Sequence, residues 1–153
     1  MRNAIQIRAA KPADAPVISR FNARLATETE ARRLRSGRLR AGVAAVLADP
    51  ARGQYYVAVV SGQVVGQVLV TFEWSDWRNG NFWWLQSVYV EKGLRGRGVF
   101  RALFRHVRRL ARGRKDVCGL RLYVAGANRV AKRVYHQAGF RPTRYEVFEM
   151  DFD

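Results

Sequence analysis

The sequence predicts one mixed α/β domain over residues 1–153, with a central, mostly antiparallel sheet flanked by helices. Three observations predict it. Two turn signals, Ser61-Gly62 and Asn79-Gly80, separate β-rich runs, as consecutive antiparallel strands require. Later stretches carry apolar residues at helical spacing with arginines opposite them. A chain of 153 residues that is 48% hydrophobic and 12% aromatic is also long and apolar enough to bury one core.

The elements follow in order. Ile5-Gln6-Ile7-Arg8 alternates and reads as a short strand. Asp14-Ala15-Pro16 opens a helix, with Asp14 as its cap, and Val17, Ile18, Phe21 and Leu25 give that helix a buried face. Ala31 to Arg40 is arginine-rich with Gly37 inside it, and is expected to be a loop before a second helix over Leu39 to Leu47. Gln54 to Val60, Gln63 to Phe72 and Phe82 to Val90 are expected strands; the last is apolar on both faces, as a strand covered on both sides would be. A helix from Gly98 to Arg112 places Phe100, Leu103, Phe104, Val107, Leu110 and Ala111 on one stripe. Gly119 to Val124 reads as a strand, Asn128 to Ala138 as a helix ending at Gly139, and Tyr145 to Phe152 as a final strand.

Composition narrows the function. Cys118 is the single cysteine, so an internal disulfide is excluded; in Val117-Cys118-Gly119-Leu120 it reads as a small buried thiol. His106 and His136 lie in helical patterns without the companions a metal site needs, and no metal is expected. No apolar run approaches the ~20 residues that cross a bilayer. The start, Met1 to Arg8, lacks the apolar run and cleavage site of a secretory leader, so a soluble, cytoplasmic protein with no membrane partner is expected. Twenty-eight basic residues against 12 acidic ones leave a net charge of +16, a field that attracts anions. Nearly all the basic residues are arginine, a bias that coding composition can produce. Nucleic acid is therefore not the expected partner, whereas a phosphate-rich cosubstrate would gain from the same field.

The chemistry concentrates in Val88-Tyr89-Val90-Glu91-Lys92-Gly93-Leu94-Arg95-Gly96-Arg97-Gly98-Val99-Phe100. Here a strand enters a glycine-rich turn and then a helix N-terminus. Such a turn aims backbone N–H groups and the positive end of the helix dipole at one point, where an anion such as pyrophosphate fits. Glycine allows close approach and positive φ. The spacing is neither the Walker loop, which needs Gly-Lys-Ser/Thr, nor the three-glycine dinucleotide fingerprint.

With these residues the chain resembles the GCN5-related N-acetyltransferase family, whose acyl-CoA motif runs Gln/Arg-x-x-Gly-x-Gly/Ala. Arg95 and Gly98 match its first two fixed positions, and Phe100 stands where the family carries a small residue. A second run, Asn128 to Phe140, is similar to the family's later signature of Asn, Ala, Tyr and Gly-Phe. The order of elements agrees over nearly the whole chain. The resemblance implies an acyl-CoA N-acyltransferase fold and transfer of an acetyl group from acetyl-CoA to a primary amine by direct attack in a ternary complex.

By the same resemblance, backbone groups of Val88, Tyr89 and Val90 would pair with the pantetheine arm. The N–H groups of Arg95, Gly96, Arg97, Gly98, Val99 and Phe100 would hold the pyrophosphate, and Asn128 is either a plain helix cap or a cap that also contacts the pantetheine. Tyr135 matches the tyrosine that protonates the leaving sulfur; by spacing alone it reads as a core residue with its hydroxyl satisfied. Glu73 is the first candidate for the base, although the family also works without a dedicated one. Trp74, Asp76 and Trp77 form an aromatic and acidic cluster suited to a cationic amine, or else an ordinary hairpin tip. Gln86 and Ser87 are polar exceptions in an apolar strand, placed to orient the acceptor. The acceptor is expected to be a small molecule or a peptide amine, and a homodimer is the assembly the resemblance suggests. The competing reading is a non-catalytic module on the same fold, responsive to coenzyme A or binding nucleic acid.

Overall fold

A computed structural model describes residues 4–153. Residues 1–3, on which part of the leader expectation rests, lie outside the described residues. Two compact units make up the chain, Met1–Tyr123 and Val124–Asp153.

The first unit is a five-stranded sheet with helices on both faces. Its strands are β1 (Gln6–Ala9), β2 (Gln54–Val60), β3 (Gln63–Ser75), β4 (Gly80–Val90) and β5 (Val117–Leu122). They lie in sequence order, β1-β2-β3-β4-β5. The first four pair antiparallel, whereas β5 runs parallel to β4 because a helix separates them in sequence. That helix is α3 (Val99–Arg112); α1 (Ala15–Glu30) and α2 (Ser36–Ala48) connect β1 to β2. The Ser61-Gly62 turn takes positive φ at both residues, 49° and 76°, matching the twist of a two-residue hairpin.

Ile18 of α1 and Val43 of α2 pack with Tyr55, Val57 and Leu69 on one face of the sheet. Val99, Leu103, Val107 and Ala111 of α3 are buried on the other. Close approach of α3 depends on Gly66: a Cβ there would sit 2.9 Å from Val99 Cγ1 and 3.1 Å from the Tyr89 carbonyl oxygen. The α1 face also holds a polar network. Gln67 donates to Asn22 Oδ1 at 2.8 Å and to the Ser87 carbonyl at 3.1 Å, and Asn22 donates to the Tyr55 hydroxyl at 3.1 Å.

Several local expectations are corrected. The Asp14 side chain does not cap α1; it accepts from the Lys11 N–H and from both terminal nitrogens of Arg8, tying β1 to the helix start. The second helix starts three residues earlier than expected, at Ser36, because Gly37 is absorbed in its first turn. β5 begins at Val117 and ends at Leu122, two residues earlier at each end. Cys118 is half-buried rather than enclosed. β4 has its buried positions at Gly80, Trp83, Leu85 and Tyr89, and the rest of the strand is only half-buried.

The second unit contains α4 (Arg129–Ala138). Asn128 caps it, its Oδ1 accepting from the Ala131 N–H at 3.1 Å, and Gly139 ends it with φ of 102°. Tyr145 to Phe152 does not form a strand. The alternation is present, but a strand requires a neighbouring ladder, and no ladder forms along this run among the described residues.

Candidate functional site

The β4–β5 ladder ends at the pair Leu85↔Leu122, while β4 continues five residues further, to Val90. On its other side β4 stays paired with β3 through Val90↔Gly66 and Tyr89↔Gln67. Gln86 to Val90 thus present an edge that no strand pairs among the described residues. A break in the β3–β4 register between Gln67 and Leu69 marks the point where the edge opens, and Ser87 sits there with φ of 50°. The Gln67 amide holds the Ser87 carbonyl from inside the protein, so the buried network fixes the irregularity. Gln67 is fully buried and its Oε1 has no hydrogen-bond partner.

Beyond Val90 the chain makes a 3-10 turn, Lys92–Leu94, and then the glycine segment. Gly96 and Gly98 have φ of 75° and 89°, the left-handed region where a side chain costs about 1–2 kcal/mol. A Cβ on either would meet nothing within 4 Å, so the space before the turn is open. Gly98 is the N-cap of α3, whose first N–H groups lack intrahelical partners. Open space at a helix N-terminus is chemically suited to a phosphate diester or pyrophosphate.

The Arg95 side chain does not face that space. Its Nη2 donates to Glu28 Oε2 at 2.7 Å, its Nε to the Val90 carbonyl at 2.9 Å, and its guanidinium lies 5.2 Å from the Tyr89 ring centre. Burial alone would raise the Glu28 carboxyl, but the hydrogen bond and charge of Arg95, with Lys92 at 3.6 Å, hold it below its ordinary value. Arg95 therefore braces the turn against α1. Phe100 stacks along the helix on Phe104, ring centres 6.0 Å apart, so its bulk is directed into an aromatic pair one turn onward. A depression of about 600 Å³ lies on the α1 side of this bracing cluster, lined by residues that include Arg24, Thr27, Glu28 and Tyr89.

Other expected site residues divide between two faces of the sheet. Glu73 pairs across with Phe82, Thr71 with Trp84, and Leu69 with Gln86, so Glu73 and Gln86 share a face. Gln86 donates to Thr71 Oγ1 at 2.6 Å. Glu73 accepts from Arg121 Nη1 at 2.6 Å, and the Arg121 guanidinium sits 3.6 Å from the Phe82 ring centre. Trp84 and Tyr123 stack at 4.4 Å beside them. Trp74, one residue on, falls on the other face, across from Asn81. Asp76 and Trp77 belong to the hairpin tip, where Asp76 Oδ1 accepts from the Trp77 N–H and the Trp77 indole stands in solvent. Glu73 and Gln86 thus share a face without touching, Gln86 lying four residues along β4 from the partner of Glu73, whereas the tryptophan–carboxylate cluster is dispersed.

The sequence reading missed Arg121, Trp84 and Tyr123, which with Glu73 and Gln86 line this face. Alternation along β4 was a usable signal for Trp84. The partnership of Glu73 with a residue 48 positions away had no local signal. In the second unit, Tyr135 is packed against Phe140, ring centres 6.0 Å apart, and burial raises its phenol above the ordinary value. Among the described residues no group of three or more His, Cys, Asp or Glu could hold a metal ion, and no helix is long and apolar enough to cross a membrane.

Comparison with known proteins agrees with this architecture. Among curated proteins none matches the sequence. A possible acetyltransferase from Clostridium difficile 630 is 41% identical, with a TM-score of 0.91 over 97% of this chain and 98% of its own. A predicted acetyltransferase from Clostridium acetobutylicum, solved with acetyl-CoA, shares the fold at 17% identity and a TM-score of 0.78, over 97% of this chain and 96% of its own. So does the aminoglycoside N-acetyltransferase AAC(6')-Iy in complex with CoA, at 15% identity and a TM-score of 0.79, over 100% and 98%. The profile of the acetyltransferase (GNAT) family matches residues 22–140, and with that match over most of its length the chain belongs to the GNAT acetyltransferase family.

Proposed function

We propose that this protein is an N-acetyltransferase that passes the acetyl group of acetyl-CoA to a primary amine within a ternary complex. One observation carries the reading: the unpaired β4 edge at Gln86–Val90 leads directly into the open glycine turn and the N-terminus of α3. An extended pantetheine arm can be bound along such an edge as an added strand, with the pyrophosphate at the turn. The residues present fit that ligand, since a Cβ at Gly96 or Gly98 would meet nothing within 4 Å and the first N–H groups of α3 lack intrahelical partners. The Val90 carbonyl also accepts from Arg95, so Val88 is the less encumbered of the two strand partners expected.

Acetyl-CoA supplies an activated thioester; the chain supplies position and protons. The face bearing Glu73, Trp84, Gln86 and Arg121 is the acceptor surface in this reading, its aromatic and acidic groups favouring a cationic amine. The amine must lose a proton before it attacks the carbonyl carbon. Glu73 is the group assigned to receive it, directly or through water, with Arg121 holding the carboxylate in place. Tyr135 is assigned as donor to the departing sulfur. That role rests on the Asn128–Phe140 signature and on a phenol that burial keeps protonated at neutral pH. Asn128 remains assigned to the pantetheine beyond its cap. The acceptor is a small-molecule or peptide amine, the working assembly a homodimer, and the working unit the whole chain as one cytoplasmic domain.

Isothermal titration with acetyl-CoA, repeated at high salt, tests the reading. Micromolar binding that survives salt, followed by amine-dependent thiol release, is the expected result. Binding that salt abolishes would assign the attraction to net charge alone and leave a non-catalytic module.

A further inference from the structure

The buried polar network beneath β4 lies where an apolar core would otherwise close. Gln67 is 0% exposed, and Asn22 and Tyr55, which the network joins to it, are buried as well. Its Nε2 donates to Asn22 Oδ1 and to the Ser87 carbonyl, while its Oε1 has no hydrogen-bond partner. A buried amide left with an unpartnered oxygen stabilises a fold less than an apolar side chain of its size. Packing alone therefore does not call for a glutamine at this position.

What the amide holds is a β-bulge. The pairs Gln67↔Tyr89 and Leu69↔Gln86 leave two residues of β4, Ser87 and Val88, opposite the single residue Val68. Ser87 takes φ of 50° there, a left-handed conformation that side chains rarely adopt. The Ser87–Val88 peptide is trans, so holding its carbonyl from within the protein turns its N–H to the opposite side. The pleat of the strand gives the same direction. The Glu91 N–H donates to the Val65 carbonyl at 2.9 Å, so the backbone groups of Tyr89 also face β3, and those of Val88 and Val90 face away from it. That side is the edge left unpaired beyond Leu85 among the described residues.

We propose that Gln67 is a positioning residue for the cosubstrate: through the Ser87 carbonyl it aims the Val88 N–H at the pantetheine arm. The inference rests on the proposed binding of that arm along the β4 edge. Gln67 itself lies enclosed behind the strand and acts through it. Without the hold, the Ser87–Val88 peptide can rotate out of its left-handed conformation, and the edge loses one aligned donor. The glycine turn lies beyond Val90 and is braced separately, by Arg95 on Glu28, so the anion end of the cosubstrate does not depend on Gln67.

The test compares two probes on the full-length protein: acetyl-CoA, which carries the arm, and ADP, which carries a diphosphate without it. Gln67→Met keeps the length of the side chain and removes its donor. It should weaken acetyl-CoA about tenfold and leave the ADP dissociation constant within about twofold. In isotope-labelled protein the Val88 amide proton should move downfield on saturation with acetyl-CoA in the wild type, and stay in place in the variant. Equal weakening of both probes makes Gln67 a structural residue, and unchanged acetyl-CoA affinity removes it from binding; either overturns the inference. A wild type that binds acetyl-CoA no more tightly than ADP overturns the reading of the arm itself, and this inference with it. Adding Ser87→Gly to Gln67→Met supplies a residue at ease with positive φ. That double variant should still bind acetyl-CoA weakly; recovery of wild-type affinity would show that Gln67 offsets strain at Ser87 and does nothing more. Should neither variant fold, the wild type decides. Its Gln67 side-chain amide hydrogens should resist exchange and its Val88 amide should shift on binding, and failure of either overturns the proposal.

Discussion

At the scale of single residues, two side chains make opposite demands on their protons. Tyr135 is lifted above the usual phenol value by burial, so it stays a donor throughout the neutral range. Tyr135→Phe removes the proton and little volume. In the proposed reaction, turnover should fall about a hundredfold or more while the acetyl-CoA dissociation constant stays within about twofold. Rapid-quench turnover alongside titration separates the two; equal loss of binding and turnover would make Tyr135 structural. Asp14 is held below its ordinary value first by the hydrogen bond from Arg8, then by the Lys11 N–H, against the opposing effect of burial. A lowered folded-state value means that the stabilisation is present above the unfolded carboxylate value of about 3.9 and is lost as pH falls through the folded one. Asp14→Asn should therefore cost about 1–2 kcal/mol at pH 7 and progressively less on acidification. Denaturant titrations at neutral and acid pH measure this. A penalty independent of pH would show that the substitution acts through altered hydrogen-bond geometry rather than through the lost charge.

At the scale of elements, the strand–turn–helix unit of β4 and α3 joins the open sheet edge to the glycine turn proposed to hold the pyrophosphate. Gly98 is its most exacting position, because φ of 89° penalises a side chain although the space around it is empty. Gly98→Ala should destabilise the protein by about 1–2 kcal/mol and weaken acetyl-CoA about tenfold. A thermal melt and a titration check the two effects; a stability loss with unchanged affinity would place the cosubstrate away from this turn. The unit was legible in the sequence because its signals are local: an apolar strand, two glycines, then a 3.6-residue stripe. α2 was less legible at its start, since Ser36 to Arg40 offers arginines and a glycine but no apolar period. The final run was read as a strand from alternation that is present, but pairing depends on a neighbour that alternation does not specify. At the candidate site, Glu73 was picked out by the aromatic and acidic cluster at its strand end and Gln86 as a polar interruption in an apolar strand; the sheet puts both on one face. Arg121 was hidden because one arginine among so many carries no signal until the sheet places it on Glu73. Trp74 was misgrouped with Glu73 because adjacent strand residues point to opposite faces.

At the scale of the whole molecule, the +16 charge is better suited to capture than to hold. Arg95, at the start of the glycine turn, commits its guanidinium to Glu28 and the Val90 carbonyl. Other cations, including Arg101, Arg105, Arg108 and Arg112 along α3, act through the field they sum to. A polyanionic cosubstrate approaching such a surface is steered over a distance that salt shortens, from about 30 Å at 0.01 M to about 3 Å at 1 M ionic strength. In the proposed binding mode its pyrophosphate, once bound, is held by backbone groups and a helix terminus at contact distance, where screening acts weakly. Stopped-flow mixing with acetyl-CoA, followed by tryptophan fluorescence, should therefore show an association rate that falls about tenfold from low to high salt. The dissociation rate should change by less than about twofold over the same range. If dissociation instead carries the salt dependence, the arginines are direct ligands and the backbone turn is not the main holder. A salt-insensitive pair of rates would leave the charge without a part in cosubstrate binding. A polynucleotide offers the contrasting behaviour, because affinity made from many arginine–phosphate contacts falls steeply with the logarithm of salt.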